Sequence, residues 1–235
     1  MHAAGIAMLF TAIIAPSAGL AASSRLTVAA ESRSMIWNAV AVDGGRVLVA
    51  GPRWGGSTGT AVALLDTHGD PQPYPDAHWN GWRPGGDPRS VFVNVNSLHR
   101  DDSGGLWVID TGSPEFGGDP LPGAAKAVRI DLKSGRVTRI VTFGPTAILK
   151  GSYVDDIRFH GDHAYLTDAG RPGLIILNLK TGDSRRVLED HPSTTAGGRN
   201  IVVDGEILLG PDGQPFKVNS DPMEVSPDGR WFYFG

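Results

Sequence analysis

Asn94-Val-Asn-Ser-Leu-His-Arg-Asp-Asp-Ser-Gly-Gly-Leu-Trp-Val-Ile-Asp-Thr-Gly112 is the stretch on which the fold turns. Residues 95–100 predict a short strand. Asp101 to Gly105 predicts a turn, because its two glycines can take positive φ. Residues 106–109, Leu-Trp-Val-Ile, are aromatic and β-branched and predict a second strand. Together they make a β-hairpin.

The chain carries that hairpin four times. The others are Trp37–Val42 with Arg46–Ala50, Val154–Phe159 with His163–Thr167, and Ser220–Val225 with Arg230–Phe234. The second position is polar in every copy: Asn38, Asn96, Asp155 and Asp221. Two places on, it is apolar: Val40, Leu98, Ile157 and Met223. Successive polar positions lie 58, 59 and 66 residues apart. A period this long, built on hairpins, signals blades or a solenoid. The second and third copies continue alike, through Ala127–Leu132, Lys133-Ser-Gly135 and Arg136–Phe143, and through Leu174–Leu179, Lys180–Asp183 and Ser184–Leu188. Hairpin, strand, turn, strand is a four-stranded propeller blade. The expected fold is all-β: a propeller of four-stranded blades, with about three and a half in this chain.

Composition agrees. Glycine supplies 32 of 235 residues, about twice its usual share of roughly 7%. With 17 prolines this suits short strands joined by turns. A formal charge of −4, without a basic stripe, argues against a nucleic-acid partner. The absence of cysteine excludes disulfide and thiolate chemistry. Residues 1–22 are apolar, broken by Gly and Pro, and end in small residues; they predict a secretory signal peptide cut near Ala21 or Ala22. The expected location is secreted or periplasmic, with no membrane span after cleavage. Residues 23–235 are then expected to be the N-terminal part of one propeller, since the fourth copy stops inside its hairpin. Ser24–Ala30 alternates and suggests a lone strand. Pro71–Pro88 is expected to be a long loop carrying Tyr74, Trp79 and Trp82.

Several segments resemble the Yellow and major royal jelly protein family: Leu106–Gly112, Pro73–Asp76, Ala164–Gly170 with Gly173–Ile176, and Arg186–Leu188 followed by His191–Ser193. The resemblance runs from about residue 35 to the end. It implies a secreted six-bladed propeller. The insect members usually carry cysteines, so this chain looks like a bacterial relative. Members are linked to dopachrome conversion, to binding of biogenic amines, or to storage. A more distant likeness is to gluconolactonase and regucalcin-type propellers, which hold a divalent metal such as Ca²⁺ through Glu, Asn and Asp at the starts of inner strands. Asn38 stands where that pattern has its N-terminal Glu.

In a propeller the first strand of each blade lines the channel. Asn38, Asn96, Asp155 and Asp221 are therefore expected to form a ring at one mouth. Their oxygens suit a hard cation such as Ca²⁺, with Asn96, Asp155 and Asp221 as the expected ligands. Asp155 or Asp221 could instead act as a general base. Asp and Asn also start strands and cap turns without any further role. Alternation points Asp156 away from Asp155. Trp79 and Trp82, with Trp54 and Tyr74, are expected to rim a small-molecule site by stacking or cation–π contact. The favoured expectation is binding of a small aromatic, amine or sugar-like ligand. The alternative is a divalent-metal-dependent lactone hydrolase.

Overall fold

The computed structural model describes residues 26–57, 59–210 and 212–235. The expected signal peptide lies outside them. Among the described residues no helix is long and apolar enough to cross a membrane.

The described residues form a β-propeller arrangement of three four-stranded blades and a two-stranded fourth sheet. The first blade holds β1 (Ala39–Asp43), β2 (Arg46–Ala50), β3 (Val62–Leu65) and β4 (Pro71–Pro73). The second holds β5 (Val95–Arg100), β6 (Gly105–Asp110), β7 (Lys126–Asp131) and β8 (Arg136–Thr142). The third holds β9 (Val154–His160), β10 (His163–Asp168), β11 (Gly173–Asn178) and β12 (Ser184–Val187). Each is an antiparallel meander in sequence order. A small hairpin, β13 (Val202–Val203) and β14 (Glu206–Ile207), stands apart on the long connection that follows. The last blade shows β15 (Met223–Val225) and β16 (Phe232–Phe234). The first strands β1, β5, β9 and β15 neighbour one another in that order, so they share one axis.

Two sequence expectations change, and one hairpin is unforeseen. Residues 26–30 form no strand. The connection between the third and fourth blades carries the β13–β14 hairpin, whose pieces are too short to signal themselves. Pro71–Pro73 is the outer strand of the first blade, not loop; an edge strand tolerates prolines because its N–H groups need no partner.

The cores lie between blades. Leu106 and Val108 of β6 pack with Leu48, Val62, Phe92 and Leu98. Trp107 and Ile109 point the other way, to Ile157, Leu166, Ile175 and Met223. All six residues of β6 are buried, which explains a run with no polar alternation.

The aspartates that end β6 and β10 each lock together segments of their own blade. Asp110 is fully buried and accepts N–H groups of Val93 (2.8 Å), Asn94 (2.9 Å) and Gly112 (2.9 Å). Lys126, also fully buried, donates its Nζ to it at 2.7 Å. Asp168 repeats the device: it accepts from Tyr153 N (2.8 Å), Arg171 N (2.9 Å) and Arg186 Nη1 (2.9 Å). The glycine two residues on is required in both. A Cβ at Gly112 would lie 2.3 Å from Ala125 N, and one at Gly170 would lie 2.1 Å from Gly151 O. Both latches tie down the residues just before an inner strand, 93–94 and 153, and so set where that strand's polar position points.

Candidate functional site at the channel mouth

The four ring positions come together. Asn38 donates its Nδ2 to Asn96 Oδ1 at 2.8 Å. Asn96 turns its own Nδ2 to Asp155 Oδ1. The Asp221 carboxyl stands next to that of Asp155, close enough to raise it. All four line one cavity of about 710 Å³.

Register breaks aim these side chains. In β5, Val95 pairs with Asp110 but Ser97 pairs with Ile109, so Asn96 is an extra residue. In β9, Val154 pairs with Asp168 and Ile157 with Leu166, leaving Asp155 and Asp156 opposite the single Thr167. A bulge of this kind re-aims a side chain and spoils simple alternation. That corrects one expectation: Asp156 also lines the cavity, although Arg158 holds its carboxylate at 2.6 Å. Thr167, facing the bulge, donates its hydroxyl to the backbone oxygen of Asp221 at 2.9 Å and fixes the fourth member.

Burial, and then the neighbouring Asp221 carboxylate, push the Asp155 carboxyl up to about 9. Asp155 therefore keeps its proton near neutral pH, beside the Asp221 carboxyl. Above it stands Tyr153, whose hydroxyl donates to Asn96 Oδ1 at 2.8 Å and accepts from Trp54 Nε1 at 2.8 Å. Burial raises the Tyr153 phenol, so it stays neutral and able to donate.

Aromatic rings make the wall. Trp54 meets Phe116 at 4.7 Å between centroids and Tyr153 at 6.5 Å. Phe216 stacks on Phe116 at 5.3 Å. These four side chains come from three connections and from the residue before β9. Tyr153, Phe116 and Phe216 escape the sequence reading. Only Tyr153 has a local signal, since it lies two places before Asp155 and so on the same face.

Trp79 and Trp82 are not at the rim. Trp79 is 7% exposed and Trp82 is 5% exposed. Trp79 packs against Phe92 at 4.9 Å in the core between the first two blades, beside Tyr74. Trp82 packs with Val91, Val93 and Ala124, with the Arg53 guanidinium 5.7 Å from its ring. Asn80 causes this. Its side chain accepts from Val62 N at 3.0 Å and donates to Tyr74 O and Asp76 O, folding the 71–88 loop back onto the blade.

For a metal ion the oxygen donors are Asp155 and Asp221. Asn96, the third expected ligand, presents its amide nitrogen to Asp155, and its oxygen already accepts from Asn38 and Tyr153. Among the described residues no group of three or more His, Cys, Asp or Glu is placed to hold a metal. The arrangement as it stands does not fit the expected three-ligand set.

Comparisons with known proteins bear on the family. No curated protein matched the chain. Among solved structures, hydrazine synthase from Kuenenia stuttgartiensis matches with 14% identity and a TM-score of 0.44, over 81% of this chain and 46% of that one. A candidate 6-phosphogluconolactonase from Bacteroides uniformis matches with 17% identity and a TM-score of 0.42, over 83% and 48%. YCF48 from Cyanidioschyzon merolae matches with 13% identity and a TM-score of 0.40, over 83% and 46%. The chain thus spans just under half the length of each. The family model described as major royal jelly protein matches residues 93–235, more than half of the chain and both Asp latches. The chain belongs to the major royal jelly protein family.

Proposed function

We propose that this chain is part of a secreted six-bladed propeller that binds a small aromatic amine at its channel mouth. One observation carries the reading: the Asp155–Asp221 pair lies in a cavity walled by Trp54, Phe116, Tyr153 and Phe216. An ammonium group supplies the charge that the pair lacks, and aromatic faces favour a cation further. The cavity falls within the usual size of small-molecule sites, roughly 300–1,000 Å³. The apolar, small-residue ending of residues 2–22 supports secretion.

Calorimetric titration with 2-phenylethylamine tests it. The amine binds the wild-type chain, and the double variant Asp155→Asn/Asp221→Asn, which leaves the pair without charge, weakens binding by about tenfold or more, the loss of one charge-assisted contact. Unchanged affinity in that double variant contradicts the reading. The second reading, metal-assisted lactone hydrolysis, draws on the same carboxyl pair. It requires the Asn96 amide to turn its oxygen inward. Calcium binding with chelator-sensitive lactone turnover, abolished by Asp221→Ala, would replace the amine reading.

A further inference from the structure

We propose that the ligand is an aromatic zwitterion, with its ammonium on the Asp155–Asp221 pair and an anionic group across the ring, held by Lys217 and Arg171. This rests on the amine reading of the cavity and adds a second pole to it.

Both cations line the same cavity as the acid pair. They reach it from loops, whereas the carboxyls sit at the starts of inner strands. Lys217 lies on the connection between the third and fourth blades, next to Phe216. Its Nζ donates to Arg199 O at 2.9 Å, Asn200 Oδ1 at 3.1 Å and Gly197 O at 3.4 Å. All three acceptors are neutral, and Lys217 forms no ion pair among the described residues. Its charge is therefore uncompensated at a cavity wall. Arg171 lies in the turn between β10 and β11. Its guanidinium is 3.5 Å from Glu189 and 3.5 Å from Asp190, beyond the roughly 2.7–2.9 Å of a strong charge-assisted bond. The turn itself is held by the Arg171 backbone, whose N–H donates to Asp168 at 2.9 Å and whose carbonyl accepts from Arg186. The guanidinium is thus held only by these two long, exposed contacts to Glu189 and Asp190, which a ligand anion can replace without disturbing the turn.

A further polar group awaits a partner. Ser97 is only 8% exposed, its hydroxyl has no hydrogen-bond partner, and it lines the cavity beside the Asn96 bulge. A buried hydroxyl left unpaired is destabilising, and a polar ligand relieves it. A simple amine would satisfy the floor and leave Lys217 facing apolar ligand surface. A zwitterion satisfies both ends, with its ring against Trp54 and Phe116.

Carboxylate and phosphate share the required chemistry, and three probes separate them: 2-phenylethylamine, 4-(2-aminoethyl)benzoate and tyramine O-phosphate. Each is titrated calorimetrically into the full chain. At least one anionic probe binds about tenfold tighter than the parent amine, the gain of one charge-assisted contact at a part-exposed wall. The tighter of the two identifies the anion. Lys217→Met reduces the gain to about threefold or less by the same reasoning. Because that change also removes the bonds to residues 197, 199 and 200, Arg171→Met is measured beside it and is expected to reduce the gain with those bonds intact. A parent amine that binds as tightly as both anionic probes overturns the proposal and leaves the amine reading standing. So does a gain that survives in both variants. Failure of all three probes to bind overturns the amine reading itself.

Discussion

The carboxyl of Asp155 meets the Asn96 amide on one side and the Asp221 carboxyl on the other, with most of its surface withdrawn from water. Its folded-state pKa is raised from 3.8 to about 9, chiefly by burial and then by Asp221. The folded chain therefore binds this proton more tightly than the unfolded chain. Stability from the site is fully present below the unfolded pKa and is lost as pH rises through the folded one. Asp155→Asn keeps the shape and removes the titration. Denaturant unfolding of both proteins at pH 5 and pH 8 should show the variant gaining on the wild type as pH rises. Parallel pH profiles would contradict the assignment. The sequence marks Asp155 as a ring position by repeat alone. Its protonation state depends chiefly on its burial and then on the approach of Asp221, and neither has a local trace in the chain.

The latches and bulges decide where these residues point. The aspartates of Leu106–Gly112 and Ala164–Gly170, two of the segments that carry the family resemblance, are spent on backbone N–H groups and a buried cation. Asp110→Asn would strand the Lys126 ammonium inside the protein. A loss of about 3–5 kcal/mol is expected, read from denaturant unfolding. Lys126→Met should cost less, because Asp110 keeps three backbone donors. Equal, small losses would show that the pair is not a lock. Gly170→Ala should also destabilise, since its Cβ would collide with Gly151 O. A melting temperature unchanged by that substitution would show the approach to be slack. The hairpins were legible because turn glycines and β-branched runs are local signals. The bulges were not, because an extra residue in β5 or β9 shows only when its partner strand is counted against it.

Over the whole molecule, the repeat period predicted the blades and brought Asn38, Asn96, Asp155 and Asp221 to one mouth. The aromatic wall differs from the one the sequence suggests. Trp79 and Trp82 cluster in one Pro-rich loop and look like a rim, but Asn80 folds that loop into the core. The actual wall gathers Trp54, Phe116, Tyr153 and Phe216 from separate connections, and only the ring of blades makes them neighbours. We propose that this mouth, rather than the groove lined by His99, Arg129, Arg158 and His160 on the hairpin-turn side of the blades, holds the ligand. A crystal structure of the chain with 2-phenylethylamine decides between the two. The ammonium nitrogen is expected about 3 Å from oxygens of Asp155 and Asp221, with the ring against Trp54 and Phe116. Amine density in the opposite groove, with the Asp155–Asp221 pair untouched, would contradict it.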